Sequence, residues 1–373
     1  MGHIVKTQVG HFRANWRDGA DQQKSKTFAT RKEAAAFLAE TEAAIHRGTY
    51  VDPHAARRIL LRDYAAEWLT GRTVEARTKE TTEAMLRTHV LPRWGKLPLS
   101  RIDHLSVQQW VSELGTRRAP ATVAAAAGVL SMILDTAVRT RLLPVNPCDG
   151  VSLPRRHTDA APLQTITRDE LRNRLLPAVP PQYRVMICLA AGSGLRWGEC
   201  AGLASAAVDL DRREVHVYRV AVETSGPVEL RSYPKSRAGV RRVPLPRFSV
   251  VALRTHQATY PHPGDLVAAT RTGGPLRRST FRRRVWVPSL QRADLPPSLR
   301  FHDLRHSYAT WLVSDGLPVN VVQRLMGHER AATTLNRYVH APRDYDARVR
   351  HLFEDDEPDD PEDGAAGVLA PVC

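Results

Sequence analysis

The chain of 373 residues is 42% apolar and 25% charged, enough for two or three cores; no run of about 18 apolar residues appears and the start, MGHIVKTQVGHFR, lacks a signal-peptide stretch, so a cytoplasmic protein is expected rather than a membrane or exported one. Cys148, Cys188, Cys200 and Cys373 form no CxxC pair, which argues against a zinc ribbon, a disulfide framework or a redox dithiol. The formal charge is +15, and removing the eight acidic groups of residues 354–363, EDDEPDDPED, leaves a body of +23, the electrostatic footprint of a polyanion-binding protein with nucleic acid as the leading partner, although net charge alone does not exclude a basic protein without one.

Residues 3–29 alternate polar and apolar through HIVKTQV, HFRANWR and QQKSKTF, broken by Gly10 and by the hairpin signal Asp18-Gly19. A three-stranded sheet is predicted. Thr30 and Glu33 have capping-box spacing and open an Ala-rich helix to about His46. Lys6, Arg13, Arg17, Lys24 and Lys26, on or near this sheet, are candidates for laying a basic face on DNA; a solvated sheet face accounts for them equally well.

From about Arg58 to Arg141, LLRDYAAEWL, TKETTEAMLRTHVL, SVQQWVSEL and TVAAAAGVLSMILDTAV place apolar residues at three- and four-residue spacing, predicting a bundle of four or five short helices. LLPVNPCDGVSLPRR, rich in Pro and Gly, is a linker candidate. Helical pattern then covers 168–203, strand-like EVHVYRV and VRRVPLP follow, and helices resume from about Arg247 around the short apolar DLVAAT. The predicted fold class is mainly α with small β parts: a sheet plus helix at 1–50, a helical bundle at 58–145, a linker at 146–164, an α+β domain at 165–353, and a disordered acidic tail at 354–373.

Four stretches of the α+β region carry chemistry out of keeping with simple packing. In AAGSGLRWGECAGL an apolar helix ends at Gly192 and Gly194, and Arg196 opens the next helical pattern, where backbone N–H groups favour an anion; pairing with Glu199 one turn on is the bland role, and both can hold. In SYPKSRAGVRRVPLP, Lys235 is the one lysine after residue 97 and sits in a predicted turn. Taken alone it is an exposed loop lysine, but lysine can release a proton near neutral pH and arginine cannot. In FHDLRHSYATWLVSDG, His302 and Arg305 share a helix face opposite Leu304, Tyr308 and Leu312. His302 and His306 also have the spacing of two zinc ligands, yet no Glu follows the first and no third ligand is near, so no metal is expected and His306 reads as structural. In VVQRLMGHERAATTLNRYVHA, Gly327 stops a helix, His328 starts the next, and Tyr338 follows ten residues later.

Together these residues resemble the tyrosine recombinase (phage integrase) family, whose catalytic domain carries Arg, Lys, His-x-x-Arg, Gly-His and Tyr in that order; here they are Arg196, Lys235, His302 with Arg305, Gly327 with His328, and Tyr338, with flanks SGLR, HDLRH and LMGH. The N-terminal sheet and helix look like an integrase arm-site binding domain, and the bundle looks like a core-site binding domain. The resemblance implies cutting and rejoining of DNA without metal, cofactor or ATP. Tyr338 attacks phosphorus and forms a 3′-phosphotyrosine bond, Lys235 protonates the departing 5′ oxygen, Arg196 and Arg305 hold the non-bridging oxygens, His302 manages the proton of Tyr338, His328 hydrogen-bonds the phosphate, and Glu199 supports them. The implied partners are double-stranded attachment-site DNA, further copies of the chain on DNA up to a synaptic tetramer, and an excisionase or DNA-bending protein.

A single straight helix over 328–338 would separate His328 and Tyr338 by about 15 Å, so a break is expected near Ala331–Thr334, and YDARVRHLF, residues 345–353, is expected to form a short helix that docks on another protomer. Three rivals stand beside the integrase: a chromosome-dimer-resolving recombinase, which the N-terminal sheet argues against, a type IB topoisomerase, and a DNA-binding protein that keeps the fold without the chemistry.

Overall fold

The computed structural model describes residues 2–18, 21–52, 55–155, 163–232 and 239–327, which divide into two compact units, residues 1–159 and 160–373. The expected break near residues 331–334, the helix at 345–353 and the acidic tail lie outside the described residues.

The first unit opens with an antiparallel sheet, β1 (His3–Lys6), β2 (Phe12–Arg17) and β3 (Gln23–Phe28), in sequence order. Helix α1 (Arg31–His46) follows through the capping box: Thr30 Oγ1 accepts from Glu33 N, and Thr30 N donates back to the Glu33 carboxylate, each at 3.2 Å. Their shared core is small, with only Trp16 and Leu38 as large buried side chains beside Ala14 and Ala34. Those two contribute about 3–6 kcal/mol, so the polar ties around them matter. Trp16 Nε1 donates to Tyr50 Oη at 3.1 Å, and Lys24 pairs with Asp52 at 2.7 Å.

The rest of this unit is a bundle: α2 (Leu61–Thr70), α3 (Ala76–Met85, continued by Leu86–Val90 and Leu91–Trp94), α4 (His104–Arg117, N-capped by Asp103) and α5 (Pro120–Arg139). Helix α5 is 20 residues long and the one helix among those described that is apolar and long enough to cross a bilayer. Here it serves as the central core element, burying Val123, Leu130, Ile133 and Leu134 against Trp94 and Val107.

Helix α3 widens to a π-helical turn at Leu86–Val90, and Pro92 stands two residues beyond it. Two further π-helical turns, Glu170–Leu175 and Arg282–Trp286, have Pro177 and Pro288 at the same offset. The physics is shared: a proline inside a helix donates no hydrogen bond and its ring clashes with the carbonyl four residues back, and a turn wider by one residue relieves both.

The second unit is mainly helical with small sheets. Its first helix, α6, joins the π turn Glu170–Leu175 to Leu176–Ala178. Helix α7 (Arg184–Ser193) is buried on every side from Val185 onward, as an all-apolar helix must be, and α8 (Trp197–Ala201) follows it closely. The helical pattern expected over 168–203 is thus three helices. Strands β4 (Val208–Asp209), β5 (Glu214–Val217) and β8 (Arg241–Pro244) form one antiparallel sheet, and β6 (Val220–Val222) pairs with β7 (Glu229–Arg231) in another. EVHVYRV therefore splits between two sheets instead of forming one strand. Helices α9 (Arg247–Thr259), α10 (Arg278–Phe281, continued by Arg282–Trp286 and Val287–Arg292), α11 (Phe301–Ser314) and α12 (Val319–Met326) follow among the described residues.

Candidate active site

The C-terminal ends of α7 and α12 and the first two turns of α11 converge in the second unit. Gly194 ends α7 in the left-handed region at φ 63°, and a side chain there would overlap the Tyr308 ring, which stands 2.5 Å from where a Cβ would lie. Gly192, expected to help end this helix, lies within its last turn instead, packed on Ser249. Gly327, also left-handed at φ 62°, ends α12.

Glu199 is buried in the middle of this junction. Its carboxylate accepts from Arg196 N at 2.8 Å and from the Arg196 guanidinium at 2.9 Å, takes both terminal nitrogens of Arg241 at 3.1 and 3.0 Å, and lies 4.0 Å from Arg305. Of the two roles foreseen for Arg196, the pairing with Glu199 is thus in place, at the start of α8. Burial alone would raise the Glu199 pKa; the hydrogen bonds and charge of Arg241, then the charges of Arg196 and Arg305, outweigh that and bring it down to about 2. Three guanidiniums around one carboxylate leave two positive charges in excess.

The two arginines expected to hold the non-bridging oxygens differ in access. The Arg196 side chain is 40% exposed, whereas Arg305 is 2% exposed and donates to the carbonyls of Gly194 and Met326. Arg196 also donates to Gly327 O at 3.2 Å, so the arginines bind together the ends of α7 and α12. His302, partly buried, meets His306 edge to face with ring centroids 4.9 Å apart. Burial first, then the charges of His306, Arg305 and Arg196, outweigh the pull of Asp303 and hold its pKa down to about 4, so it is a neutral acceptor at neutral pH. Tyr308 stands in the same junction, but burial pushes its phenol up to about 12, which makes it harder to ionise than an ordinary tyrosine.

An aromatic cluster fixes the first turn of α11. Phe281, Trp286 and Trp197 surround Phe301 at centroid distances of 5.7, 5.8 and 5.1 Å, and Arg300 N donates to Asp303 at 2.7 Å. His302 follows Phe301 directly, and Arg305 lies one turn on.

The structure thus brings together Arg196, Glu199, His302 and Arg305. Lys235, His328 and Tyr338 lie outside the described residues. Arg241 was missed, although VRRVPLP carries its signal: alternation puts Arg241 on the buried face of β8 with Val243, where an arginine needs a partner.

The five basic residues of the N-terminal sheet do not form one face. Cross-strand partners share a side of a sheet, and the register sets Lys6 opposite Phe12, Lys26 opposite Ala14 and Lys24 opposite Trp16, all on the side that packs on α1. Lys26 lies over the Phe37 ring of α1 at 4.6 Å. Only Arg13 and Arg17 belong to the opposite side, with Val5 and Thr27.

Residues 164–344 match the phage integrase family, and residues 61–152 match the phage integrase central domain. A putative prophage phiRv2 integrase of Mycobacterium tuberculosis is 28% identical over 367 residues, covering 95% of each chain. Among solved structures, the Tn1549 transposon integrase in complex with a circular intermediate DNA matches with a TM-score of 0.66 at 21% identity, over 79% of this chain and 99% of that one. A lambda integrase tetramer bound to a Holliday junction matches with a TM-score of 0.57 at 15% identity, over 91% and 96%.

Proposed function

The chain belongs to the phage integrase family of tyrosine recombinases, and from that premise we propose that it is a site-specific integrase that cuts and rejoins attachment-site DNA through a 3′-phosphotyrosine bond, moving a phage or related mobile element. The observation that carries this reading is the excess of two positive charges around buried Glu199, with a neutral His302 within reach of their field.

The chemistry follows from those groups. The scissile phosphate enters beside Arg196, whose exposed guanidinium donates to its non-bridging oxygens, while Arg305 adds its charge from the buried side. Tyr338 oxygen bonds to phosphorus as the bond to the 5′ oxygen breaks. His302 accepts the phenol proton, His328 hydrogen-bonds the phosphate, and Lys235 supplies the proton that the leaving 5′ oxygen takes up. The phosphotyrosine bond conserves the energy of the broken phosphodiester, so a second 5′-hydroxyl reverses the step without ATP. Residues 1–50 serve as an arm-type DNA-binding domain that meets DNA through Arg13 and Arg17, residues 58–145 as the core-site domain, 146–164 as the linker and 165–353 as the catalytic domain. The protein works in the cytoplasm as an oligomer on double-stranded DNA, a tetramer in synapsis.

A nicked attachment-site substrate, which lets the 5′ fragment diffuse away after cleavage, tests the reading. The wild-type protein becomes linked to DNA and Tyr338→Phe does not. Equal linkage in both proteins, or none from the wild type, would overturn the reading.

A further inference from the structure

Arg241 is a costly residue to place where it stands. Its side chain is 5% exposed, on a strand whose neighbour Val243 is fully buried. An unpaired guanidinium there would destabilise the fold severely, so each of its three nitrogens needs a partner. Nε donates to Leu325 O at 2.7 Å, one terminal nitrogen donates to Gly239 O at 3.0 Å and to Glu199 Oε1 at 3.1 Å, and the other donates to Glu199 Oε2 at 3.0 Å. One side chain thereby ties together β8, the last turn of α12 and the carboxylate at the heart of the site.

The geometry around Glu199 decides which arginine it neutralises. Arg241 meets both carboxylate oxygens in a fork-to-fork pair, the strongest form of this contact. The Arg196 guanidinium reaches one oxygen, and Arg305 stands at 4.0 Å. We infer that Arg241 is a positioning residue for strand transfer: it occupies the charge of Glu199, so that the carboxylate orients Arg196 without cancelling it, and Arg196 and Arg305 keep their positive charge for the scissile phosphate. This rests on the assignment of those two arginines to the phosphate. Without Arg241, Glu199 turns its full charge on them, and the site loses part of the field that stabilises the transition state.

The test compares Arg241→Met and Arg241→Lys with wild type on two nicked substrates, one with the natural scissile phosphodiester and one with a methylphosphonate there, in which a neutral methyl replaces a charged oxygen. On the phosphodiester, Arg241→Met forms the covalent adduct about 10²–10³-fold more slowly, comparable to loss of one donor to a developing oxyanion. On the methylphosphonate the loss shrinks below about tenfold, because less charge needs stabilising. Arg241→Lys, which keeps the charge but not the fork, falls between. The double variant Glu199→Gln/Arg241→Met, with no carboxylate left to cancel Arg196, is faster than Arg241→Met alone.

Equal losses on both substrates, with no recovery in the double variant, would reduce Arg241 to a packing role and overturn the inference. If Arg241→Met does not fold, the ratio for Arg241→Lys decides in the same way. Tyr338→Phe keeps the two questions apart: an adduct formed without Tyr338 sinks the integrase assignment, whereas a Tyr338-dependent adduct with equal losses in the Arg241 variants sinks only this one.

Discussion

The two basic regions of this protein use charge in opposite ways. Around Glu199, three arginines are packed against one carboxylate and several main-chain carbonyls, so each guanidinium has a fixed direction and the set keeps a net positive charge. In the N-terminal sheet, basic residues are spread over two faces, and Lys24 and Lys26 turn toward Asp52 and Phe37, helping to hold a core with few large side chains. A burial-fixed cluster suits a task in which direction matters. A sparse, exposed face is suited to backbone contacts, where only charge matters.

Breaking the fixed cluster has the larger consequences. Glu199→Ala leaves Arg241 buried without its carboxylate and lowers unfolding free energy by about 3–5 kcal/mol, measured by denaturant titration; a change below about 1 kcal/mol would mean the cluster is not rigid. Arg196→Ala, at a partly exposed side chain, slows adduct formation about 10²–10³-fold while leaving the denaturation midpoint nearly unchanged. The reverse pattern, a large loss of stability with a small loss of rate, would make Arg196 a structural residue.

Acid sharpens the comparison through the same cluster. Glu199 is held below its ordinary range, so its contribution is complete above about pH 4.3 and is lost as pH falls toward about 2. His302 is kept neutral in the fold with a pKa of about 4, while the unfolded chain takes up that proton near pH 6.5, so stability also falls between those values. Stability is expected to decline continuously on acidification. His302→Asn flattens the upper part of the curve and Glu199→Gln the lower part; identical curves for both variants and wild type would refute the assignment.

The smallest effects belong to the sheet. Arg13→Ala weakens DNA binding and reduces the slope of log affinity against log salt by about 1, with no change in melting temperature. Lys24→Ala does the opposite, lowering the melting temperature and leaving the salt slope alone. Equal salt slopes in the two variants would erase the distinction between the faces.

Local signals were legible in the sequence wherever the physics is local. The Thr30–Glu33 capping box, the helix end at Gly194 and the three-stranded sheet follow from a few adjacent residues. Arg196, Glu199, His302 and Arg305 were found by order and flanking pattern, and the structure brings them to one place. What escaped depends on partners far along the chain. The face of Lys24 is set by register with Trp16, the burial of Arg305 by carbonyls 21 and 111 residues away, and the place of Arg241 by a carboxylate 42 residues upstream.

The widened turn before Pro288 also bears on the site. Residues five apart on an ordinary α-helix point about 140° from each other, yet Phe281 and Trp286 both reach Phe301, because the π turn between them brings their directions together. A turn of this kind holds one residue more than the helix needs. Pro92, Pro177 and Pro288 therefore mark three places where a relative can differ in length by a single residue, with a matching change at the proline, while the elements on either side keep their register.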